Sequence, residues 1–121
     1  MRLIEATLTD GNPVAFNAPS VAYIRAAGAG CTVACGLGVS LETVEGFAEI
    51  RARLTVTVEL IDLHSTGPER EIIAINPEGL AYAQPADDGC LIVMAIGAAI
   101  ETRESYEAVM SALGAPLRRV E

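Results

Sequence analysis

His64 is the single histidine of this 121-residue sequence, and it stands between Asp62 and Ser65. A Ser–His–Asp relay needs the imidazole within hydrogen-bond reach of both partners. In an extended strand Asp62 and His64 share one face while Ser65 points to the other. The three therefore read as an exposed edge before a turn, and no catalytic residue is assigned. Cys31, Cys35 and Cys90 are the other obvious chemistry. With one imidazole in the chain, a site needing two is excluded. Cys31-x3-Cys35 also lacks the paired C-x2-C spacing of structural zinc sites. The cysteines are expected to act as small buried hydrophobes, with no metal and no cofactor. Four residues of strand separate Cys31 from Cys35 by about 13 Å, beyond disulfide reach. Gly28-Ala29-Gly30 and Gly36-Leu37-Gly38 are glycine-rich, but a phosphate loop carries a lysine and this chain has none. They are read as turns. Tyr23 and Tyr82, with Arg25 and Arg70, are the candidate ligand-binding set: two aromatic faces for stacking a ring and two guanidinium groups for an anion. The competing reading makes both tyrosines half-buried strand residues.

These residues sit in a chain with 16 acidic and 8 basic residues, a net charge of -8. Clamping a nucleic-acid backbone requires clustered positive charge, so a nucleic-acid partner is not expected. Apolar residues make up 51% of the sequence and aromatics 4%, which implies a folded protein with an aliphatic core. The longest apolar run, Cys90 to Ile100, falls short of the roughly 18 residues that cross a bilayer. No membrane insertion is expected, and the run is read as a strand buried on both faces. Charges at Arg2, Glu5 and Asp10 argue against a signal peptide. An odd number of cysteines suggests reduced thiols, hence a cytoplasmic setting, or a virion if the gene is phage-borne.

The elements that position these residues occur twice. Residues 14–54 align with 73–113 at a constant offset of 59 without a gap, with 12 identities in 41 positions. Among them are Asn17 with Asn76, Tyr23 with Tyr82, Cys31 with Cys90, Thr43 with Thr102 and Glu45 with Glu104. Leu3-Ile4-Glu5 matches Leu60-Ile61-Asp62 at an offset of 57. A gapless match of this length is the signature of an internal repeat.

Each copy follows one plan. Opening strands are expected over Arg2–Thr9 and Thr55–His64, then turns at Asp10-Gly11-Asn12-Pro13 and Thr66-Gly67-Pro68. Short strands follow at Val14–Asn17 and Ile72–Asn76, and tyrosine-bearing strands at Val21–Arg25 and Leu80–Gln84. Fourth strands fall at Cys31–Leu37 and Cys90–Ile96, and fifth strands at Val39–Glu42 and Ala98–Glu101. A helix closes each copy, with Thr43 and Thr102 at the N-caps and Glu45 and Glu104 favouring the helix dipole in the first turn. Val44, Phe47, Ile50 and Leu54 then fall at helical spacing. The expected fold is α+β: two tandem β-rich repeats of about five short strands and one C-terminal helix each, packed as a pseudo-two-fold dimer. Repeat one spans 1–54 with its helix at 44–54. Repeat two spans 55–121 with its helix at 103–113 and a short C-terminal tail carrying Arg118 and Arg119. Cys31 and Cys90 are expected to face each other near the axis.

The Asp10-Gly11 turn, Asn17 and Asn76 ending the second strands, the turns at Gly38 and Gly97, and the helix start Glu104-Ser105-Tyr106-Glu107 are shared with a known type. Each copy resembles the short units of FlbD-type flagellar and swarming proteins, and similar small phage or mobile-element proteins. Copy one departs at the helix start, with Glu45-Gly46-Phe47-Ala48. The resemblance implies a β-rich body with a terminal helix and brings no catalytic residue. The expected function is a non-enzymatic interaction or assembly module of bacterial or phage origin, a homo-oligomer that uses strand faces or edges and has a possible protein partner. The alternative is a small-ligand protein that binds or sequesters a nucleotide or signal molecule.

Overall fold

The computed structural model describes residues 2–36, 38–67 and 71–114. The protein is mixed α+β, with ten antiparallel strands and two short α-helices among the described residues. In chain order these are β1 (Leu3–Thr7), β2 (Pro13–Asn17), β3 (Val21–Ala27), β4 (Gly30–Cys35), β5 (Ser40–Thr43), α1 (Phe47–Leu54), β6 (Ile61–His64), β7 (Ile72–Ile75), β8 (Leu80–Ala86), β9 (Gly89–Met94), β10 (Ala99–Thr102) and α2 (Tyr106–Leu113). The bounds of β3 and β8, β4 and β9, β5 and β10, and α1 and α2 each differ by 59 residues, as Val21 to Leu80 and Phe47 to Tyr106. A register shift falls between Val21 and Tyr23 in β3 and between Leu80 and Tyr82 in β8.

Three sheets, β2-β1, β5-β4-β3-β7-β6 and β10-β9-β8, are joined end to end. Isolated bridges Leu8–Thr43 and Ser65–Thr102 connect the tail of β1 to β5 and that of β6 to β10. The strand path is therefore β2-β1, β5-β4-β3-β7-β6, β10-β9-β8, with β2 and β8 at its two ends.

The two halves meet through β3 and β7, in the register Tyr23–Ile75, Ile24–Ala74 and Arg25–Ile73. These strands are not equivalent. In a closed pseudo-two-fold pair a second junction, β8 with β2, would accompany the first; among the described residues β8 pairs only β9, and β2 only β1.

Apolar residues collect into two clusters. The first, including Phe16, Ile24, Cys31, Val33, Ile50 and Leu54, lies under α1 and takes Ala74 from β7. The second, including Leu63, Ile75, Cys90, Ile92, Met94 and Val109, lies under α2 and takes Ala22 from β3. Cys31 and Cys90 are thus buried in separate clusters and do not face each other.

Several local expectations shift for identifiable reasons. Thr43 and Thr102 do not cap the helices: both end strands and both are buried; the Thr43 hydroxyl donates to the Glu45 carbonyl at 2.8 Å, with the Cys31 carbonyl at 3.4 Å, and the Thr102 hydroxyl donates to the Cys90 carbonyl at 3.2 Å. Gly46 and Ser105 occupy the N-caps, and Ser105 Oγ accepts the Ala108 N–H at 3.1 Å. The helices accordingly begin at Phe47 and Tyr106. Thr55 to Val58 is not strand. Thr57 and Val58 fold back to donate N–H bonds to the Leu54 carbonyl at 3.0 and 2.9 Å, ending α1 and delaying β6 to Ile61. The run Cys90 to Ile100 is not one doubly buried strand. Cys90, Ile92 and Met94 face the core while Leu91 and Val93 are half-buried, and a turn through Gly97 at φ +98° separates β9 from β10.

Candidate functional site

Chemistry-bearing side chains in this fold are mostly engaged in holding strands together. Asp62 accepts from Arg51 Nε at 2.8 Å. His64 turns instead to Glu104, with Nδ1 2.7 Å from Oε2. The Glu104 carboxylate also accepts the His64 backbone N–H at 2.9 Å. Glu45 does the same in the first half, accepting the Thr7 N–H at 2.8 and 3.1 Å through its two oxygens. Neither glutamate lies inside its helix. Each stands just before one and latches the opening strand of its half.

The Thr7 N–H holds the Glu45 carboxyl below its ordinary value, against the opposing effect of burial. For Glu104 burial is the largest influence and opposes ionisation, but the His64 N–H and ring together outweigh it, so this carboxyl is also lowered. A carboxyl depressed in the folded state stabilises the fold above its unfolded value near 4.5 and loses that contribution as pH falls through the folded value. The melting temperature should hold from neutral pH to about 5 and fall below it. The double variant Glu45→Gln, Glu104→Gln should be less stable at neutral pH and show a shallower acid dependence. Thermal melts across this range check both expectations.

Burial pushes the Cys31 thiol up to about 11, and raises Cys35 and Cys90 as well. A raised thiol is a poor nucleophile near neutrality. Among the described residues, no three His, Cys, Asp or Glu side chains converge as a metal-holding group, and no helix is long and apolar enough to cross a membrane.

The candidate ligand residues are dispersed. Tyr23 is half-buried and packs against the second apolar cluster. Arg25, two residues on in the same strand, is paired with Glu71 at 2.6 Å. Tyr82 lies on β8 and is 52% exposed. Arg70 falls outside the described residues, as do Arg118 and Arg119. An open cleft of about 850 Å³ runs along β8 to β10, with Gln84, Asp87, Asp88, Glu101 and Arg103 in its wall and neither tyrosine. Its one arginine is engaged: Arg103 donates to the Ser65 carbonyl at 3.0 Å and the Gly67 carbonyl at 3.1 Å, strapping the end of β6.

The β3–β7 junction carries a specific polar contact between the halves. Asn76 donates its side-chain amide to the Val21 carbonyl at 3.0 Å and its backbone N–H to the Ala22 carbonyl at 2.8 Å, while its Oδ1 accepts the Glu78 N–H at 3.1 Å. It is 1% exposed. Asn17, the matching residue of the first half, is exposed, and its amide donates to Ser20 Oγ at 3.0 Å. The sequence offers Asn17 and Asn76 as equal turn residues; only the pairing of the halves separates them. Asn76→Ala leaves the Val21 carbonyl without this partner and should cost about 1–3 kcal/mol. Asn17→Ala in dilute solution should stay within about 0.5 kcal/mol. Parallel denaturant titrations test the contrast.

The same asymmetry runs along both edges. Ala22 and Ile24 are buried in β3, whereas Ala81 is exposed and Ala83 half-buried in β8. Ala74 is buried in β7, and Ala15 is exposed in β2. In comparisons with known proteins, the chain matches no family model, no curated protein and no solved structure.

Proposed function

We propose that this chain is a duplicated, non-enzymatic assembly module that recognises extended backbone by strand addition at its sheet ends. The carrying observation is the contrast between β3, whose edge is covered by β7, and β8, whose corresponding edge is bare among the described residues. An open strand edge presents unpaired N–H and C=O groups and is a template for another strand. The common offset of 59 in strand, helix and bulge positions supports descent from one duplicated unit, with the halves arranged head to tail in place of the expected closed two-fold pair. A cytoplasmic, bacterial or phage setting belongs to the same proposal.

The ligand-binding reading has less support. Stacking needs an aromatic face and an anion-binding arginine in one pocket; the 850 Å³ cleft holds Arg103 without Tyr23 or Tyr82, and the adjoining hollow of about 290 Å³ that sets Tyr106 beside Arg103 also holds Asp87, Asp88 and Glu107, with the guanidinium bound to the Ser65 and Gly67 carbonyls. Selection of displayed random peptides against the immobilised chain tests the assembly reading, with amide exchange locating the bound peptide. Expected winners alternate apolar and polar residues and protect the amides of β8. Native mass spectrometry of protein purified from its host provides the opposing arm. A copurifying small molecule, with no peptide protecting β8 or β2, would overturn the reading in favour of ligand binding.

A further inference from the structure

We infer that the strand added to β8 is β2 of a second copy of this chain, in the register Phe16–Tyr82, Ala15–Ala83 and Val14–Gln84. This rests on the assembly reading above and names its partner. The β3–β7 junction is the template. Moving its β3 side forward by 59 residues and its β7 side back by 59 converts the pairs Tyr23–Ile75, Ile24–Ala74 and Arg25–Ile73 into the three pairs proposed. Both strands are then the ends of the strand path and, among the described residues, lack a partner on that side.

The residues fit this exchange. Asn76 binds the Val21 and Ala22 carbonyls across the existing junction. Asn17 is the same residue type and would meet the Leu80 and Ala81 carbonyls. The bulge that shapes β3 between Val21 and Tyr23 recurs between Leu80 and Tyr82, so the two acceptor edges share their irregularity. The ion pair Arg25–Glu71 at 2.6 Å becomes Gln84 opposite Asn12. Charge is replaced by amide on both sides at once, and no unpaired charge is buried in the new contact.

Because Asn76 N–H donates to the Ala22 carbonyl, the backbone of residues 22, 24 and 26 is turned toward β7, as that of 72, 74 and 76 is toward β3. The matching outward residues are 81, 83 and 85 on β8, and 13, 15 and 17 on β2. Pro13 and Pro85 therefore fall on one rung, the counterpart of Ile72 and Ala26. That rung lies beyond the three paired rungs of the existing ladder. The prolines end the contact without removing a bond the template uses, and confine it to one register.

The contact joins unlike surfaces, so each copy keeps a free β2 or β8 after the first association. Growth continues until the path closes into a ring. A junction of three rungs is small, and small interfaces are transient, so association is expected at high micromolar to millimolar protein.

Ala15→Pro removes the outward N–H of the donor strand and Ala83→Pro that of the acceptor. Sedimentation of the intact chain should show mass rising above 12.6 kDa with concentration, toward a ring or a growing series. Each variant alone should associate at least about tenfold more weakly. Mixed, they should recover one heterodimer and nothing larger, since the intact β2 of the Ala83→Pro chain fits the intact β8 of the Ala15→Pro chain. Recovery on mixing also establishes that both variants are folded. A wild-type chain that remains at 12.6 kDa to millimolar concentration overturns the self-pairing, and leaves the assembly reading standing if selected peptides still protect β8. Variants that associate like wild type, or that fail to complement, overturn the proposed strands.

Discussion

Gly89→Ala should unfold the second half or destabilise the chain by about 3 kcal/mol or more, the upper range of overpacking, with Gly30→Ala close behind. Neither glycine is needed for a left-handed conformation. Both sit where β4 and β9 begin, directly against the strand that pairs beside them. A methyl group on Gly89 would lie closer than 3.0 Å to the Thr102 carbonyl oxygen, and one on Gly30 equally close to that of Thr43. In each case the obstacle is backbone, which cannot rotate aside like a side chain. The buried Thr102 hydroxyl braces its segment on the Cys90 carbonyl, and the Thr43 hydroxyl holds its own on the Glu45 carbonyl. Gly36→Ala is a useful contrast: φ is +76° there, but nothing lies within 4 Å of the added methyl group, so its penalty is limited to backbone strain of about 1–2 kcal/mol. Thermal unfolding of the three variants should rank Gly89 and Gly30 well above Gly36.

Met94→Asp is the second large effect. Met94 is 1% exposed and lies in the cluster under α2 with Ile92, Val109 and Leu63. A carboxylate there has no cationic partner in the cluster, and burying an unpaired charge costs several kcal/mol or forces protonation. The neighbouring Val93 points to the other face and is only half-buried. Val93→Asp should cost substantially less, whereas a strand buried on both faces would make the two variants equal. Equilibrium denaturation of the pair reads the difference directly.

That contrast also marks what was legible beforehand. The matching positions Tyr23 and Tyr82, Cys31 and Cys90, and Leu54 and Leu113 stand in corresponding elements, because turn residues and apolar periodicity are local properties. The helix starts were misplaced because a threonine before an acidic residue reads as a cap. Thr102 instead spends its hydroxyl on the Cys90 carbonyl one strand away, a choice set by sheet pairing, and Thr43 spends its hydroxyl on the Glu45 carbonyl two residues on. Glu45 and Glu104 are kept in both halves, and that retention was the available signal for their latching role. Their backbone partners, Thr7 and His64, lie 38 and 40 residues away and leave no mark in a local pattern. The β3–β7 junction was hidden for a different reason. Matched segments look alike in sequence, so nothing local says which edge of one half receives a strand of the other. Among the described residues, Arg25 facing Glu71 is the one charged pair across it, and it becomes informative only when read against Gln84 and Asn12.

The halves are tied by strand pairing, by the Arg51–Asp62 ion pair and by exchanged core residues, Ala74, Val58 and Leu60 against the first cluster and Ala22 and Tyr23 against the second, while the covalent link passes an exposed point at Val56, which is 83% exposed. Continuity of the polypeptide is therefore not what keeps them together. Severing the chain at Val56 would leave two fragments that reconstitute the fold without a peptide bond between them, in the manner of split-protein reporters. Val56 is likewise the natural place to insert a cargo sequence, ahead of Val58 and Leu60, which pack against the first core.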